Sequence, residues 1–83
     1  MDPQTAWDRM LAALTADDWE QVKELAESLL YWLARAGFPP VVLGHPKISP
    51  KVEKDLAITV CRYCLRLAKE RIVYVTETPG DVI

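Results

Sequence analysis

The sequence predicts an all-α domain: a helical hairpin, a proline-rich strap, one long third helix and an extended C-terminal arm. Three observations predict it. Apolar residues recur at i, i+3, i+4, i+7 spacing from Trp7 and again from Trp19. Asp2-Pro3 and Ser49-Pro50 each set a capping residue before a proline, which is a helix opening. Between them, Pro39, Pro40 and Pro46 interrupt residues 37–49 and forbid a helix there. With 83 residues, 51% apolar and 27% charged, the chain reads as one small folding domain over residues 1–83 rather than a disordered one.

The first helix is placed at about residues 3–14, where Trp7, Met10, Leu11 and Leu14 form a stripe flanked by Ala6 and Ala13. Thr15 is expected to cap the second helix, with Asp18 three residues on completing a capping-box-like pair. That helix should occupy about 16–36, with Trp19, Val22, Leu25, Ala26, Leu29, Leu33 and Ala36 on one face, and should stop at Gly37 in the C′ position. So short a turn makes the two helices an antiparallel hairpin. In the strap, Phe38, Val41, Val42, Leu43 and Ile48 are apolar and should seek cover, so a stiff segment packed on the core is expected. The third helix should run from Pro50 to about residue 72. Val52, Leu56, Val60, Tyr63 and Leu67 form one apolar stripe on it, and Ile58, Cys61, Leu65, Ala68 and Ile72 form a second. A helix apolar over most of its circumference needs cover on more than one side, and a short hairpin covers one. The tail, Ile72-Val73-Tyr74-Val75-Thr76, is β-branched and aromatic and reads as an extended arm.

Small residue counts narrow the chemistry. The chain has one histidine, His45, in the strap, and its only serines are Ser28 and Ser49, so no nucleophile–base–orienter set is apparent. Gly37, Gly44 and Gly80 are scattered, and none opens a helix after a strand as a phosphate loop requires. Cys61 and Cys64 have redox-motif spacing but lie in mid-helix, away from the helix N-terminus that would activate a thiol. One His and two Cys do not complete a structural zinc site within the chain. No catalytic residue, metal or cofactor is expected. No apolar run is long enough to span a membrane, and the opening residues Met1-Asp2-Pro3-Gln4 do not read as a secretory signal; a cytoplasmic protein is the expectation.

Charge is segregated along the chain. Residues 1–46 carry three basic residues against seven acidic, whereas residues 47–71 carry seven basic against three acidic. Glu20, Glu24 and Glu27 form an acidic ridge at i, i+4, i+7 on the second helix, and Arg62, Arg66 and Lys69 form a basic ridge of the same spacing on the third. The ridges could pair within a chain or between chains and so set register. Alternatively the basic ridge could meet the phosphates of a nucleic acid or another anion, with Tyr63 and Tyr74 as neighbouring aromatics, although the whole chain carries a formal charge of −2.

The stretch from Trp7 to Pro40 resembles a single tetratricopeptide-type hairpin. Trp7 stands early in the first helix, Ala16-Asp17-Asp18-Trp19-Glu20 where such repeats turn, and Pro39 after the second helix. No second copy follows in residues 41–83, and a solenoid needs about three units, so the resemblance implies a lone hairpin and brings no binding residues with it. The same stretch resembles short bacterial proteins to which no function is attached. The expected function is therefore a non-enzymatic protein–protein interaction module. Its interface would be the third helix, through Leu56, Val60, Tyr63, Leu67, Ile58, Leu65 and Ile72, and its partner itself, as a dimer, or another protein.

Overall fold

A computed structural model describes the backbone of residues 2–81 and the side chains of residues 2–72. The described residues form three helices, α1 (Pro3–Thr15), α2 (Trp19–Ala34) and α3 (Pro50–Asp81), in the hairpin, strap and long-helix order that the sequence predicts.

Local chemistry accounts for most of the boundaries. Asp2 caps α1 by accepting from the Gln4 backbone N–H at 3.1 Å and from the Thr5 hydroxyl at 2.6 Å, and Pro3 follows at the first helical position. The Thr5 hydroxyl, foremost, holds the Asp2 carboxyl below its ordinary range. At the far end, the Asp18 N–H donates to Ala13 O at 2.9 Å and the Asp17 N–H to Leu14 O at 3.4 Å, with Asp17 left-handed at φ 56°. This is a Schellman ending. Asp18, rather than the expected Thr15, then caps α2, accepting from Gln21 N–H at 3.4 Å. Thr15 stays in the last turn of α1 because its hydroxyl donates to Ala12 O at 2.8 Å, three residues behind it.

α2 ends by the same device two residues earlier than expected. Gly37 N–H reaches Trp32 O at 3.0 Å and Ala36 N–H reaches Leu33 O at 3.2 Å, which puts Ala36, not Gly37, in the left-handed position at φ 64°. Gly37 is required for a different reason: a Cβ there would run into the Trp32 indole. That ring is fixed by its Nε1–H donating to Phe38 O at 2.8 Å and by edge-to-face contact with the Phe38 ring at 5.6 Å. Opposite effects should follow at adjacent positions. Ala36→Gly relieves left-handed strain of about 1–2 kcal/mol, less about 0.4–1 kcal/mol for the greater freedom of the unfolded chain. The net gain of up to about 1.6 kcal/mol should raise Tm by up to about 13 °C. Gly37→Ala should lower Tm; thermal melts of the two variants beside the parent check both.

α2 is the central helix, packing antiparallel against α1 on one side and α3 on the other. Its buried face is Val22, Ala26, Leu29 and Leu33, and α1 contributes Ala6, Trp7, Met10 and Ala13. α3 meets this core through a seam of small residues, Ala57, Cys61, Cys64 and Ala68, at i, i+4, i+7, i+11. Small side chains let two helix backbones approach closely, so α3 can lie close along α2.

The strap is held by polar latches. Pro40 is buried and Val42 and Ile48 are half-buried, but Phe38, Val41 and Leu43 are 58–67% exposed, so the expected apolar cover is only partly there. The Glu53 carboxylate in the first turns of α3 instead accepts the consecutive N–H groups of Val42 (2.7 Å), Leu43 (3.2 Å) and Gly44 (3.1 Å). Desolvation raises the Glu53 pKa, but the three N–H donors outweigh it and leave the group below its ordinary value. On the other side, Gln4 Oε1 accepts from Val41 N–H at 2.8 Å, so α1 and α3 hold the strap between them. Ser49 caps α3 through the Val52 N–H at 3.3 Å.

The backbone of α3 continues to Asp81, past the expected end near residue 72. β-branched residues cost a helix only a few tenths of a kcal/mol each, and after Pro50 no strong breaker occurs before Pro79. The extended arm predicted for residues 74–83 is, to Asp81, a continuation of this helix. Its side-chain packing, together with Val82 and Ile83, lies outside the described residues.

Candidate interaction surface on the third helix

The register between α2 and α3 is fixed at one end by the Arg71 guanidinium, which lies over the Trp19 ring at 5.5 Å. Because the helices are antiparallel, each step back along α3 matches a step forward along α2. Arg66 is then level with Glu24, Lys69 and Glu70 with Glu20, and Arg62 and Tyr63 with Glu27. The groove at the other end agrees: Leu30, Leu33 and Ala34 of α2 line it together with Lys54, Ile58 and Arg62 of α3, around a volume of about 430 Å³.

With its seam turned to α2, α3 has two shoulders. Ile58, Leu65 and Ile72 are half-buried on the groove side. Outside them, at about 100° per residue, stand Arg62, Arg66 and Lys69, all exposed. A second hollow of about 340 Å³ is lined by Arg62, Leu65, Arg66, Lys69 and Glu70. On the other shoulder Leu56, Val60 and Leu67 are half-buried, while Val52 is 44% and Tyr63 53% exposed. The seven expected interface residues are thus brought to the two flanks of one helix, and none is fully covered by the hairpin or the strap. Sequence reading missed the α2 contribution to the groove, Leu30 and Ala34, and the role of Lys54; the i, i+4, i+8 spacing of Lys54, Ile58 and Arg62 was the available signal.

Glu20, Glu24 and Glu27 are exposed on α2, on the side away from its buried face. Among the described residues the one ion pair is Lys23–Glu27, within α2 at 3.9 Å. The acidic and basic ridges therefore do not pair inside the chain; of their six residues Arg62 alone lines the α2/α3 groove, and the other five stand farther out on the exposed sides of the two helices. Arg66 lies 5.7 Å from the centre of the Tyr63 ring, beside a third hollow of about 400 Å³ lined by Thr59, Arg62, Tyr63 and Arg66.

The other candidates take structural places. Cys61 and Cys64 are buried and unbonded in the seam. Burial, with the neighbouring Cys64 second, pushes the Cys61 thiol up to about 12, and burial raises Cys64 as well. Neither thiol suits nucleophilic chemistry near neutral pH. A thiol reagent should find both unreactive in the folded protein and both reactive in guanidinium chloride, which a colorimetric thiol titration reads directly. His45 is exposed, and its Nδ1 accepts from Lys47 N–H at 3.1 Å within a turn of the strap. Among the described residues no group of three His, Cys, Asp or Glu side chains is placed to hold a metal, and no helix is long and apolar enough to cross a membrane. Comparison with protein-family models, with characterised proteins and with solved structures finds no match to this chain.

Proposed function

We propose that the chain is a non-enzymatic helical interaction module that associates with a second copy of itself through the apolar flanks of α3. One observation carries the reading: the core of the hairpin fully buries only the small-residue seam of α3, and the large apolar residues on both sides of that seam, including Ile58, Val60 and Leu65 that pack against the core's edge, stay half-buried or exposed. Each 100 Å² of apolar surface left in water forgoes about 2.5 kcal/mol, a large share of the stability of so short a chain. Two-fold association is the most economical cover, because one patch serves both partners. A reducing, cytoplasmic setting suits the free thiols of Cys61 and Cys64.

Light scattering over a dilution series at two salt concentrations tests this. The expected result is a dimer mass that falls toward the monomer on dilution, as mass action requires. A monomer at every concentration overturns the proposal. A second reading, nucleic-acid or anion binding by the basic ridge, is favoured by the Tyr63–Arg66 stack beside Arg62. It is opposed by Glu70 and by the acidic rim at the same level of α2. Under that reading a labelled oligonucleotide would bind at low salt and lose affinity steeply as salt rises.

A further inference from the structure

From the α2/α3 register we infer how two copies would meet: face to face across the α2/α3 groove, related by a two-fold axis parallel to the helices, with the acidic ridge of each copy on the basic ridge of the other. The inference rests on the self-association proposed above and goes further by naming the face, the symmetry and the register.

Three features of one face lead to it. First, the two helices that border the face carry opposite charge on their exposed sides, with Glu20, Glu24 and Glu27 along α2 and Arg62, Arg66 and Lys69 along α3, and these six side chains form no ion pair with one another. Second, the register set by Arg71 on Trp19 brings the ridges level over their whole length. A two-fold axis along the helices exchanges the rims and keeps the levels. Glu24 of one copy then falls opposite Arg66 of the other, Glu20 opposite the Lys69 turn, and Glu27 opposite the Arg62 turn. Third, Leu30, Ile58 and Leu65 lie half-buried between the rims. They supply an apolar strip, and α2 and α3 from the two copies would close over it as a four-helix layer. A two-fold axis perpendicular to the face would leave each ridge exposed, and one in the plane but across the helices would set acid on acid. The charge pattern thus selects one of the three axes. The same pattern disfavours a polyanion, which would meet the acidic rim along with the basic one.

Charge-reversed variants test the arrangement. Arg62→Glu with Arg66→Glu and Lys69→Glu makes both rims acidic, and Glu20→Lys with Glu24→Lys and Glu27→Lys makes both basic. All six positions are exposed, so the variants should keep the parent's helical circular dichroism spectrum. Each alone should be monomeric at concentrations where the parent is a dimer, and an equimolar mixture should regain the dimer mass as a one-to-one heterodimer. Two triple variants that each keep the parent's dimer mass would overturn the arrangement while leaving self-association standing, and so would a mixture that stays monomeric. A parent that is monomeric throughout removes both. A parent dimer broken by Val52→Glu with Tyr63→Glu, but not by either triple variant, would put the contact on the opposite shoulder of α3 and overturn the pairing of the two ridges.

Discussion

Replacing Leu29 by Ala should remove a large share of the protein's stability. Leu29 is fully buried at the middle of α2, on the face that serves both flanking helices, so the cavity would open where α1 and α3 are both held. Truncating a buried leucine costs about 2–5 kcal/mol, and a chain of this length has about 4–12 kcal/mol in total. For a small domain each kcal/mol lowers Tm by about 4–8 °C, so a drop of 10 °C or more is expected. The control is Leu43→Ala in the strap. Leu43 is 58% exposed, and its link to Glu53 runs through the backbone N–H, which the substitution leaves in place. That variant should stay within about 0.5 kcal/mol of the parent. Denaturant melts of the two variants decide the point: similar losses would mean that the strap side chain contributes as much to the fold as the buried face of α2.

What could be read from the sequence, and what could not, follows from the range of the interactions involved. Asp2-Pro3 and Ser49-Pro50 were legible because a cap is chemistry between a side chain and the next few backbone N–H groups, all within one short window. The turn between α1 and α2 was misplaced because Thr15 and Asp18 are both capping residue types, and the choice depends on a left-handed Asp17, a conformation Asp tolerates better than most residues but does not require. Gly37 was singled out correctly but for the wrong reason, since the Trp32 ring, five positions away, is what excludes a Cβ there. The strap was read as seeking apolar cover, whereas its main anchor is the Glu53 carboxylate taking three consecutive backbone donors. A count of apolar residues does not register such a contact. On α3 the large residues drew attention to two stripes. The line that meets the core runs between them through Ala57, Cys61, Cys64 and Ala68, which carry little weight in any hydrophobic count but decide how closely two helices can pack.

That seam carries the second large prediction. Ala68 is fully buried where α3 passes the first turns of α2, and a leucine there would have to fit a larger side chain into a site with no surface open to solvent. Overpacking of this kind costs about 1–3 kcal/mol. A Tm lower by about 4–24 °C is expected for Ala68→Leu, even though leucine is a good helix former and nearly matches alanine in propensity. Exposed Thr59 on the same helix supplies the comparison: Thr59→Leu should leave the fold within about 0.5 kcal/mol, so that a drop at 68 alone identifies crowding rather than a change in helix propensity. The consequence reaches the surface. The seam sets how far α3 stands from α2, and with it the spacing of the Glu20/Glu24/Glu27 and Arg62/Arg66/Lys69 rims and the exposure of Ile58 and Leu65 between them. Ala68→Leu should therefore weaken self-association at a temperature where the variant is still helical, although residue 68 touches no partner. A variant that melts early yet dimerises with the parent's affinity would show that the distance between α2 and α3 does not govern the contact, and that a single helix carries the interface.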